Sequence, residues 1–317
     1  MKKLNFIKFG LLSLIFSLGI TLTDATASSG LYGSLDIAAS RNNIASKGPV
    51  TDIANHASLI GIEGDKIFDN GISAIYKYEW QVDPIDRDPT FMQRNSYVGL
   101  KSAFGVVIIG KHDTPVKQSQ GSIDLFNDTA GDIRNILWGE NRSKKIVQWT
   151  SPKANGFTVS TMLVLEKGEE ALSTNLIWRG RIGGNKANFS IGFDFEVPQN
   201  GYVFDTKRVA AAIPLGRHAT LGVIWQESAN TTGRYNDDGY VVSLKMEMSN
   251  KATFKVMHGE SGMVKAGGEL TGVGFDYKIA KPLKLYLNYI DKSYADLSEE
   301  SEHIMAGLQY KFSLDMF

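Results

Sequence analysis

The chain has 317 residues, with 34 basic and 34 acidic side chains, 43% hydrophobic residues and no cysteine. The charge balance leaves no basic surplus for binding nucleic acid, and the lack of cysteine excludes disulfides and thiol catalysis. The composition is also too apolar for a disordered chain.

The N-terminus has the pattern of a secretory signal peptide over residues 1–27. A lysine-rich start precedes the apolar run Phe9–Leu22, and the small residues at 25–27 provide a cleavage site. The apolar run is too short to cross a membrane as a helix, although an uncleaved N-terminal anchor is the alternative. We therefore expect an exported chain whose mature part is a single domain over 28–317.

From residue 31 onward, apolar and polar residues alternate with a period of two. The clearest case is ANFSIGFDFEV at 187–197, where every second residue from Ala187 to Val197 is apolar and those between are polar or glycine. This alternation is typical of a strand with one apolar and one polar face. Sixteen strands are predicted, near 31–41, 56–64, 71–82, 93–101, 105–113, 144–151, 157–166, 173–182, 187–197, 203–213, 218–228, 238–248, 252–259, 268–279, 283–292 and 302–312.

The predicted connections alternate between two kinds. One kind is short and rich in Gly, Asn and Pro, as in FDNG, SAFG and MSNK, which is typical of tight hairpins. Short turns at one end and longer loops at the other indicate an up-and-down transmembrane barrel. The longer kind is predicted at 42–55, 83–92, 114–143, 167–172, 198–202, 229–237, 260–267 and 293–301.

The mature chain is therefore predicted to be all-β, a 16-stranded antiparallel transmembrane β-barrel. An even number of strands closes antiparallel, closure leaves no backbone group unpaired in lipid, and sixteen strands enclose an aqueous lumen. A soluble β-sandwich would show the same alternation and is the alternative fold. The signal peptide and the asymmetry of the turns favour the barrel.

The stretch GVVIIGKH at 105–112 differs by one letter from a phosphate-binding loop. Its four middle residues are strand formers, His112 replaces the required Ser or Thr, and the residues that follow are DTP rather than a helix. A nucleotide site is therefore not predicted. Because this strand has no polar face, we expect Val106 or Ile108 to lie beneath the long segment 114–143.

Five short blocks of the mature chain, taken in order, carry a family resemblance. They are LYGSLDIA (31–38), SLIGIEGDKIFDNGISAIYKYEWQV (58–82), RNSYVGLKSAFGVVIIGKHDTP (94–115), WTSP (149–152) and GLQYKF (307–312). They resemble the general bacterial porin family, the trimeric outer-membrane porins of Gram-negative bacteria. The resemblance implies a water-filled channel in the bacterial outer membrane for passive diffusion of ions and small hydrophilic solutes.

The resemblance also implies partners, and the chain departs from the family pattern at a few positions. The implied partners are two further copies in a homotrimer, outer-membrane lipids and lipopolysaccharide, and a barrel-assembly machinery that reads a C-terminal strand ending at Phe312. Leu59 and Glu63 stand where the family often has basic residues, so two wall cations are missing. Residues 313–317 extend past the usual terminal aromatic, and we expect them to form a short tail.

The resemblance further implies that segment 114–143 folds into the barrel and narrows the pore. Its acidic residues Asp124, Asp128 and Asp132 would then face basic residues of the wall. Opposed charges at a constriction filter solutes by charge and size. The alternative is that these aspartates form turns and cap helices.

Parity along the strands selects the wall residues that face the lumen. Lys77 alternates with Tyr76 and Tyr78, and Arg179 alternates with Trp178. A charge facing lipid at mid-depth would cost about 2–4 kcal/mol, so these cations are expected to point inward. Arg94 and Lys111 are added because they match basic positions of the porin block at 94–115, so their role is implied by the resemblance. The predicted basic wall of the constriction is thus Lys77, Arg94, Lys111, Arg179 and Arg181, with Glu63 and Glu79 as further lumen residues.

No enzyme activity, cofactor or metal site is predicted. The five histidines lack metal spacing and no nucleophile motif occurs. The predicted function is a passive channel. The alternatives are a plugged structural or adhesive outer-membrane barrel, and a barrel hydrolase, which would need clustered Ser/His or Asp/His residues.

Overall fold

The structure is a computed structural model that describes residues 27–85, 91–166, 169–231, 233, 236–265, 267–295 and 299–316. The predicted signal peptide lies outside these residues except for Ala27, at which the first strand begins. No helix in the described part of the chain is long and apolar enough to cross a membrane.

Nearly all of the described chain is β-strand. A short helix, α1 (Pro115–Ser119), and a 3-10 helix (Ile133–Asn135) lie in the connection between the sixth and seventh strands. The strands are β1 (Ala27–Ile44), β2 (Gly48–Asn55), β3 (Leu59–Ile67), β4 (Ser73–Gln81), β5 (Met92–Ser102), β6 (Gly105–Asp113), β7 (Arg142–Thr150), β8 (Phe157–Glu166), β9 (Glu169–Ile182), β10 (Asn185–Gln199), β11 (Tyr202–Leu215), β12 (Ala219–Asn230), β13 (Asn236–Glu247), β14 (Ala252–Ser261), β15 (Gly268–Ala280), β16 (Leu283–Tyr294) and β17 (Ser301–Asp315).

Each strand pairs antiparallel with its neighbours, and β1 pairs with β17 to close the sheet into a barrel. β2 and β3 both pair with the same side of β1, the first along its C-terminal half and the second along its N-terminal half. They therefore act as one strand of the barrel wall, interrupted near Ala57, whose φ is 54°. The prediction of a closed sixteen-stranded barrel is confirmed.

Two sets of side chains alternate along the strands. One set is apolar and exposed, forms the outer surface and includes aromatic rings near strand ends, as expected for contact with lipid and its interfaces. The opposite set is polar or small and faces inward. Outward examples are Leu35, Ile191, Val209, Trp225, Tyr240, Val242, Val273, Tyr277, Leu287, Tyr289, Leu308 and Tyr310.

The predicted short turns are confirmed, but several of the predicted long loops are wrong. The connection expected at 42–55 spans only residues 45–47, because Gly48–Asn55 pairs with β1. β9 and β11 likewise begin earlier than predicted. Strand residues that extend past the apolar band need no apolar face, so the alternation that predicts a strand ends before the strand does.

The predicted placement of Val197 with the apolar outer face is wrong. Val197 is 2% exposed, whereas Phe195 is 45% exposed. The ladder between β10 and β11 shifts register between Asp194 and Val197, and Glu196 has a φ of 54°. A β-bulge inserts a residue and reverses the parity after it, which periodicity alone cannot reveal.

Residues 313–315 belong to the last strand, so the predicted short tail and a strand ending at Phe312 are wrong. Leu314 pairs with Leu31 and Asp315 with Gly30. The ladder continues because β1 begins four residues earlier than predicted.

Truncation tests this longer closing seam. A chain ending at Phe312 loses the pairs of Ser313, Leu314 and Asp315 with β1, each hydrogen bond contributing about 1 kcal/mol. We expect its thermal denaturation temperature in detergent to fall clearly below that of the full-length protein. A chain ending at Asp315 keeps the ladder and serves as the control; equal melting of the two truncated chains would contradict the role of the seam.

Ile108, in the near-match to a phosphate loop, is 5% exposed. Its expected position beneath segment 114–143 stays a prediction. The cover of Ile108 comes mainly from neighbouring wall residues, because it clusters with Ile146, Met162 and Val164. Segment 114–141 reaches the same area through Gln118, whose Nε2 donates to Gln148 Oε1 at 3.4 Å.

Candidate functional site

The segment 114–141 between β6 and β7 packs against the inward faces of strands across the barrel. It contributes buried apolar side chains to the largest core cluster, including Ile123, Phe126 and Ile136. A Cβ placed on Gly272 would lie 2.5 Å from Phe126 Cε2, and one on Gly222 would lie 2.8 Å from Ile123 Cγ2. Inward glycines therefore leave the space that these side chains fill.

The N-terminal leg of the segment is fixed by α1. Thr114 caps this helix by accepting a hydrogen bond from Lys117 N. Asn175 Nδ2 donates to Pro115 O at 2.6 Å, and Ser190 Oγ donates to Ser119 O at 2.6 Å. Short polar side chains of β9 and β10 thus hold the helix against the wall.

Arg208 on β11 ties this leg to the C-terminal leg of the same segment. Its Nη1 donates to Val116 O at 3.3 Å and to Glu140 Oε1 at 2.6 Å, and its Nη2 donates to Trp138 O at 3.3 Å. The Arg208 and Glu140 side chains are 0% and 2% exposed. Burial raises the pKa of Glu140, although the charge of Arg208 opposes that rise.

The tip of the segment meets the opposite wall at Arg94. Arg94 Nη2 lies 3.4 Å from Asp128 Oδ2, and Arg94 Nε lies 3.0 Å from Glu79 Oε1. These contacts are part of a chain of ion pairs in which acidic and basic side chains alternate, and which we call the charge ladder. Its members are Glu63, Lys77, Glu79, Arg94, Asp128, Arg134 and Asp132.

The wall end of the ladder is also anchored by an aromatic side chain. Lys77 Nζ lies 3.2 Å from Glu63 Oε2 and 4.8 Å from the centre of the Tyr32 ring. Tyr32 donates its hydroxyl to Glu79 Oε2 at 2.9 Å. The Glu79 carboxylate thus accepts a hydrogen bond from Tyr32 and forms ion pairs with Lys77 and Arg94, so three neighbours fix its position.

The three predicted acidic residues of the segment occupy different surroundings. Asp128 contacts both Arg94 and Arg134, and its φ is 62°. Burial alone would raise the pKa of Asp128, but the charges of these two arginines outweigh it and lower the pKa below its ordinary value. Asp128 therefore stays ionised and able to pair.

Asp132 and Asp124 make bonds within the segment itself. Asp132 caps the 3-10 helix by accepting from Arg134 N at 2.8 Å, and it also accepts from Asp128 N at 2.8 Å. Asp124 accepts from Phe126 N and Ile133 N, and burial with the nearby charge of Asp132 raises its pKa. These two carboxyls hold the shape of the tip that presents Asp128.

The remaining predicted cations lie at different depths. Lys111, near the loop end of β6, donates from Nζ to Gln93 O at 2.5 Å, next to Arg94 in the chain. Arg181, near the opposite end, donates from Nη1 to Gly184 O at 2.6 Å in a short turn. Arg179 lies two residues before it on the same face. Arg179 and Arg181 lie on the face that parity predicts, but parity does not report depth. The register instead places Lys111 on the side of the exposed Ile109 and Tyr78, and the adjacent His112 is the side chain that contacts the inward segment, through Gln118.

Tyr32, Arg134 and Arg208 were not singled out from the sequence. Arg134 shares its segment with the three aspartates, and a search for cations among them would have found it. Arg208 follows Lys207 in β11, and only a firm parity assignment would have separated the inward arginine from the outward lysine.

Comparison with known proteins gives a consistent result. The family model described as "Gram-negative porin" matches residues 23–313. The "Major outer membrane protein P.IB" of Neisseria sicca is 28% identical over 124 residues, which is 38% of this chain and 35% of that protein. The match thus spans about a third of the length of that relative.

Solved structures share the fold at lower sequence identity. The "Anion-selective porin from Comamonas acidovorans" has a TM-score of 0.79 at 17% identity, with 90% of this chain and 100% of that chain covered. The trimer form of OmpT from Vibrio cholerae has a TM-score of 0.67 at 17% identity, with 90% and 100% covered.

Proposed function

We propose a constriction, a charge selectivity and an assembly for this chain, which belongs to the Gram-negative porin family. The chain is an outer-membrane protein that forms a water-filled channel, through which ions and small hydrophilic solutes diffuse passively. It is a channel rather than an enzyme. The observation that carries this function is the closed sixteen-stranded barrel with an apolar outer face and a polar inner face.

The narrowest part of the pore is placed where segment 114–141 approaches β4 and β5. The support is the contact of Asp128 with Arg94, which joins the tip of the segment to the wall on the side opposite its apolar packing. Arg94 is 12% exposed and Asp128 24% exposed along their side chains, so solutes still reach both. Lys77, Glu79 and Glu63 line the wall beside them.

Charge selectivity at this constriction is weak. The charge ladder holds four carboxylates and three cations, and each cation lies between two carboxylates. Opposite charges in contact largely cancel at the distance of a passing ion, so the field across the pore is small. The channel is therefore expected to lack a strong preference for anions.

A salt gradient across a planar bilayer measures this selectivity. For the wild-type channel we expect a reversal potential close to zero in potassium chloride. Replacing Asp128 by asparagine leaves the charge of Arg94 less compensated and shifts the potential toward anion preference. Replacing Arg94 by glutamine shifts it toward cation preference, because Glu79 and Asp128 lose their shared partner.

Two results would contradict this assignment. A strongly anion-selective wild type would mean that another charged ring controls permeation. An unchanged reversal potential in both variants would place the constriction elsewhere. Lys207→Gln, on the outer face beside Glu227, is the matched control and should leave the potential unchanged.

The channel assembles as a homotrimer, in which each chain forms its own pore. Support comes from the family and from a fold shared with OmpT, an outer membrane protein of V. cholerae that has been solved in a trimer form. Light scattering of the detergent complex, corrected for detergent, should give three chains per particle. A monomer at all concentrations that still conducts would refute the trimer but not the channel.

A further inference from the structure

Five lysines lie on the inward face of β13–β17, close to the short turns. Lys255 Nζ is 2.9 Å from Asp276 Oδ1, and Lys284 Nζ is 3.4 Å from Asp276 Oδ2, so these side chains share one face. The exposed residues Tyr277 and Ile279 alternate with them on the outer face. The set is called the turn-end lysine patch and consists of Lys245, Lys255, Lys278, Lys284 and Lys311.

Two pairs in this patch place like charges directly opposite one another on neighbouring strands. Lys245 is the ladder partner of Lys255, and Lys278 is the ladder partner of Lys284. Like charges at directly opposed positions destabilise a sheet. A sequence that keeps two such pairs side by side on one wall bears a cost in folding that a bound anion would offset.

The carboxylates that face the patch compensate it only in part. Lys245 pairs with Glu247 at 2.9 Å, while Asp276 is shared between Lys255 and Lys284. The next inward carboxylate, Asp36, accepts hydrogen bonds from Tyr286 and Gln309.

Lys278 and Lys311 are the members of the patch that form no ion pair with a described residue, although Lys278 lies near enough to Glu247 for the two charges to interact. Both are exposed, and no carboxylate of the described residues lies within ion-pair distance of either. Lys278 lies beside Lys284, and Lys311 lies two residues from Gln309, the ladder partner of Lys284. An anion in front of β15–β17 would therefore meet the ammonium groups of Lys278 and Lys311, with Lys284 beside them, whereas Lys255 is buried and donates to Leu125 O.

At the same short-turn end of the barrel, β9 and β10 also carry cations directly opposite one another. Arg181 on β9 is the ladder partner of Lys186 on β10, and both side chains are exposed. Arg179 lies on the same face, opposite Asn188. The inward rim at the short turns is thus basic on two walls.

We infer that the turn-end lysine patch binds a multivalent oxyanion of the phosphate type that enters from the short-turn end of the pore. A phosphate group carries two negative charges and several acceptor oxygens, so it can bridge two opposed ammonium groups. The patch faces the aqueous lumen, which excludes a lipid headgroup as its ligand. In barrels of this class the short turns are periplasmic, so the ligand is a periplasmic solute.

Side-specific block of single channels tests the inference. The chain has no cysteine, so Arg217→Cys in the short turn between β11 and β12 provides one label that reports which end faces each chamber. Inorganic pyrophosphate is the probe. Added at the short-turn side, it is expected to lower the conductance at about one tenth of the concentration needed at the loop side.

The variant that removes the uncompensated charges is Lys278→Gln combined with Lys311→Gln. Neither lysine forms an ion pair within the described part of the chain, so the substitutions leave no carboxylate there without its partner. Removing Lys278 also relieves its repulsion with Lys284, so folding should be preserved. We expect the half-blocking concentration from the short-turn side to rise about tenfold. Lys207→Gln, on the outer face near the loop end, should leave it unchanged.

Equal block from both sides, or a block that the double variant does not weaken, would overturn the inference. If the variant fails to fold, a measurement on the wild-type protein still tests the inference. Ligand binding to the folded state raises thermal stability, so pyrophosphate should raise the denaturation temperature of the wild type more than potassium chloride of equal ionic strength does. No additional rise would also overturn the inference. The pore itself could conduct in either case, so this failure is distinct from a failure of the channel function.

Discussion

Replacing Arg208 by methionine is expected to release both legs of segment 114–141 from the barrel wall. One guanidinium contacts Val116, Trp138 and Glu140, so its loss removes the side-chain bonds that join the two legs and leaves the backbone bond from Thr114 N to Asn141 O at their base. The buried Glu140 carboxyl would also lose its partner, which costs about 3–5 kcal/mol when a buried ion pair is broken on one side. Undocking of the segment is the simplest way to hydrate Glu140 again.

The pore should then become wider, and the current through it should fluctuate more. We expect higher open-channel current noise, a higher maximum conductance and entry of larger neutral sugars in liposome-swelling measurements. The strand ladders do not involve the Arg208 side chain, so the thermal denaturation of the barrel should change much less than the current. Wild-type conductance, noise and size limit in this variant would contradict the anchoring role.

Two further variants separate anchoring from a general loss of stability. Arg208→Met combined with Glu140→Gln removes the orphaned charge and should recover part of the steady conductance. Lys207→Met changes the next residue of β11, whose side chain is 60% exposed on the outer face, and should behave as wild type. Equal effects of Lys207→Met and Arg208→Met would mean that β11 as a whole, rather than the inward guanidinium, is responsible.

Replacing Gly272 by leucine is expected to push the tip of the segment toward the pore axis. A Cβ at this position would already lie 2.5 Å from Phe126 Cε2 and 3.0 Å from Ile290 Cδ1. Phe126 is 2% exposed and has no free space to turn into. Overpacking of this kind costs about 1–3 kcal/mol, and we expect the segment to shift rather than the strands, which are held by their ladders.

The expected result is a lower single-channel conductance, because the added side chain fills the space behind the segment. Phe126→Ala in the same chain should restore conductance toward the wild-type value by returning volume to that space. Val273→Leu adds volume at the next residue on the outer face and serves as the control. A Gly272→Leu channel with unchanged conductance would show that Phe126 is not what sets the depth of the segment.

Much of the barrel could be predicted from the sequence because a strand in a membrane has a strict pattern. Lipid on one side and water on the other force a period of two, and tight turns require Gly, Asn or Pro at fixed places. Gly71, for example, has a φ of 76° in the turn FDNG. The number of strands, the antiparallel closure of the barrel and the inward orientation of Lys77 and Glu79 all follow from that pattern.

The candidate site could be predicted only in part. Asp128, Arg94, Lys77 and Glu79 were all named from the sequence, and the structure brings them into contact. Arg181 was named by strand parity, as Lys77 and Glu79 were, but it lies beside a short turn, because parity assigns a face and not a depth. The charge of Arg134, within the segment, was passed over.

The sequence by itself determined the class of this protein, a barrel with an apolar outer face and a polar lumen, since that information is repeated along every strand. Only the tertiary structure decided which charges meet, because segment 114–141 has no period and its path depends on packing against distant strands. Glycines such as Gly222 and Gly272 leave the space for it, and Arg208 joins its two ends. Contacts that join residues far apart in the chain leave no local signal, so the bore of the pore is a property of the fold.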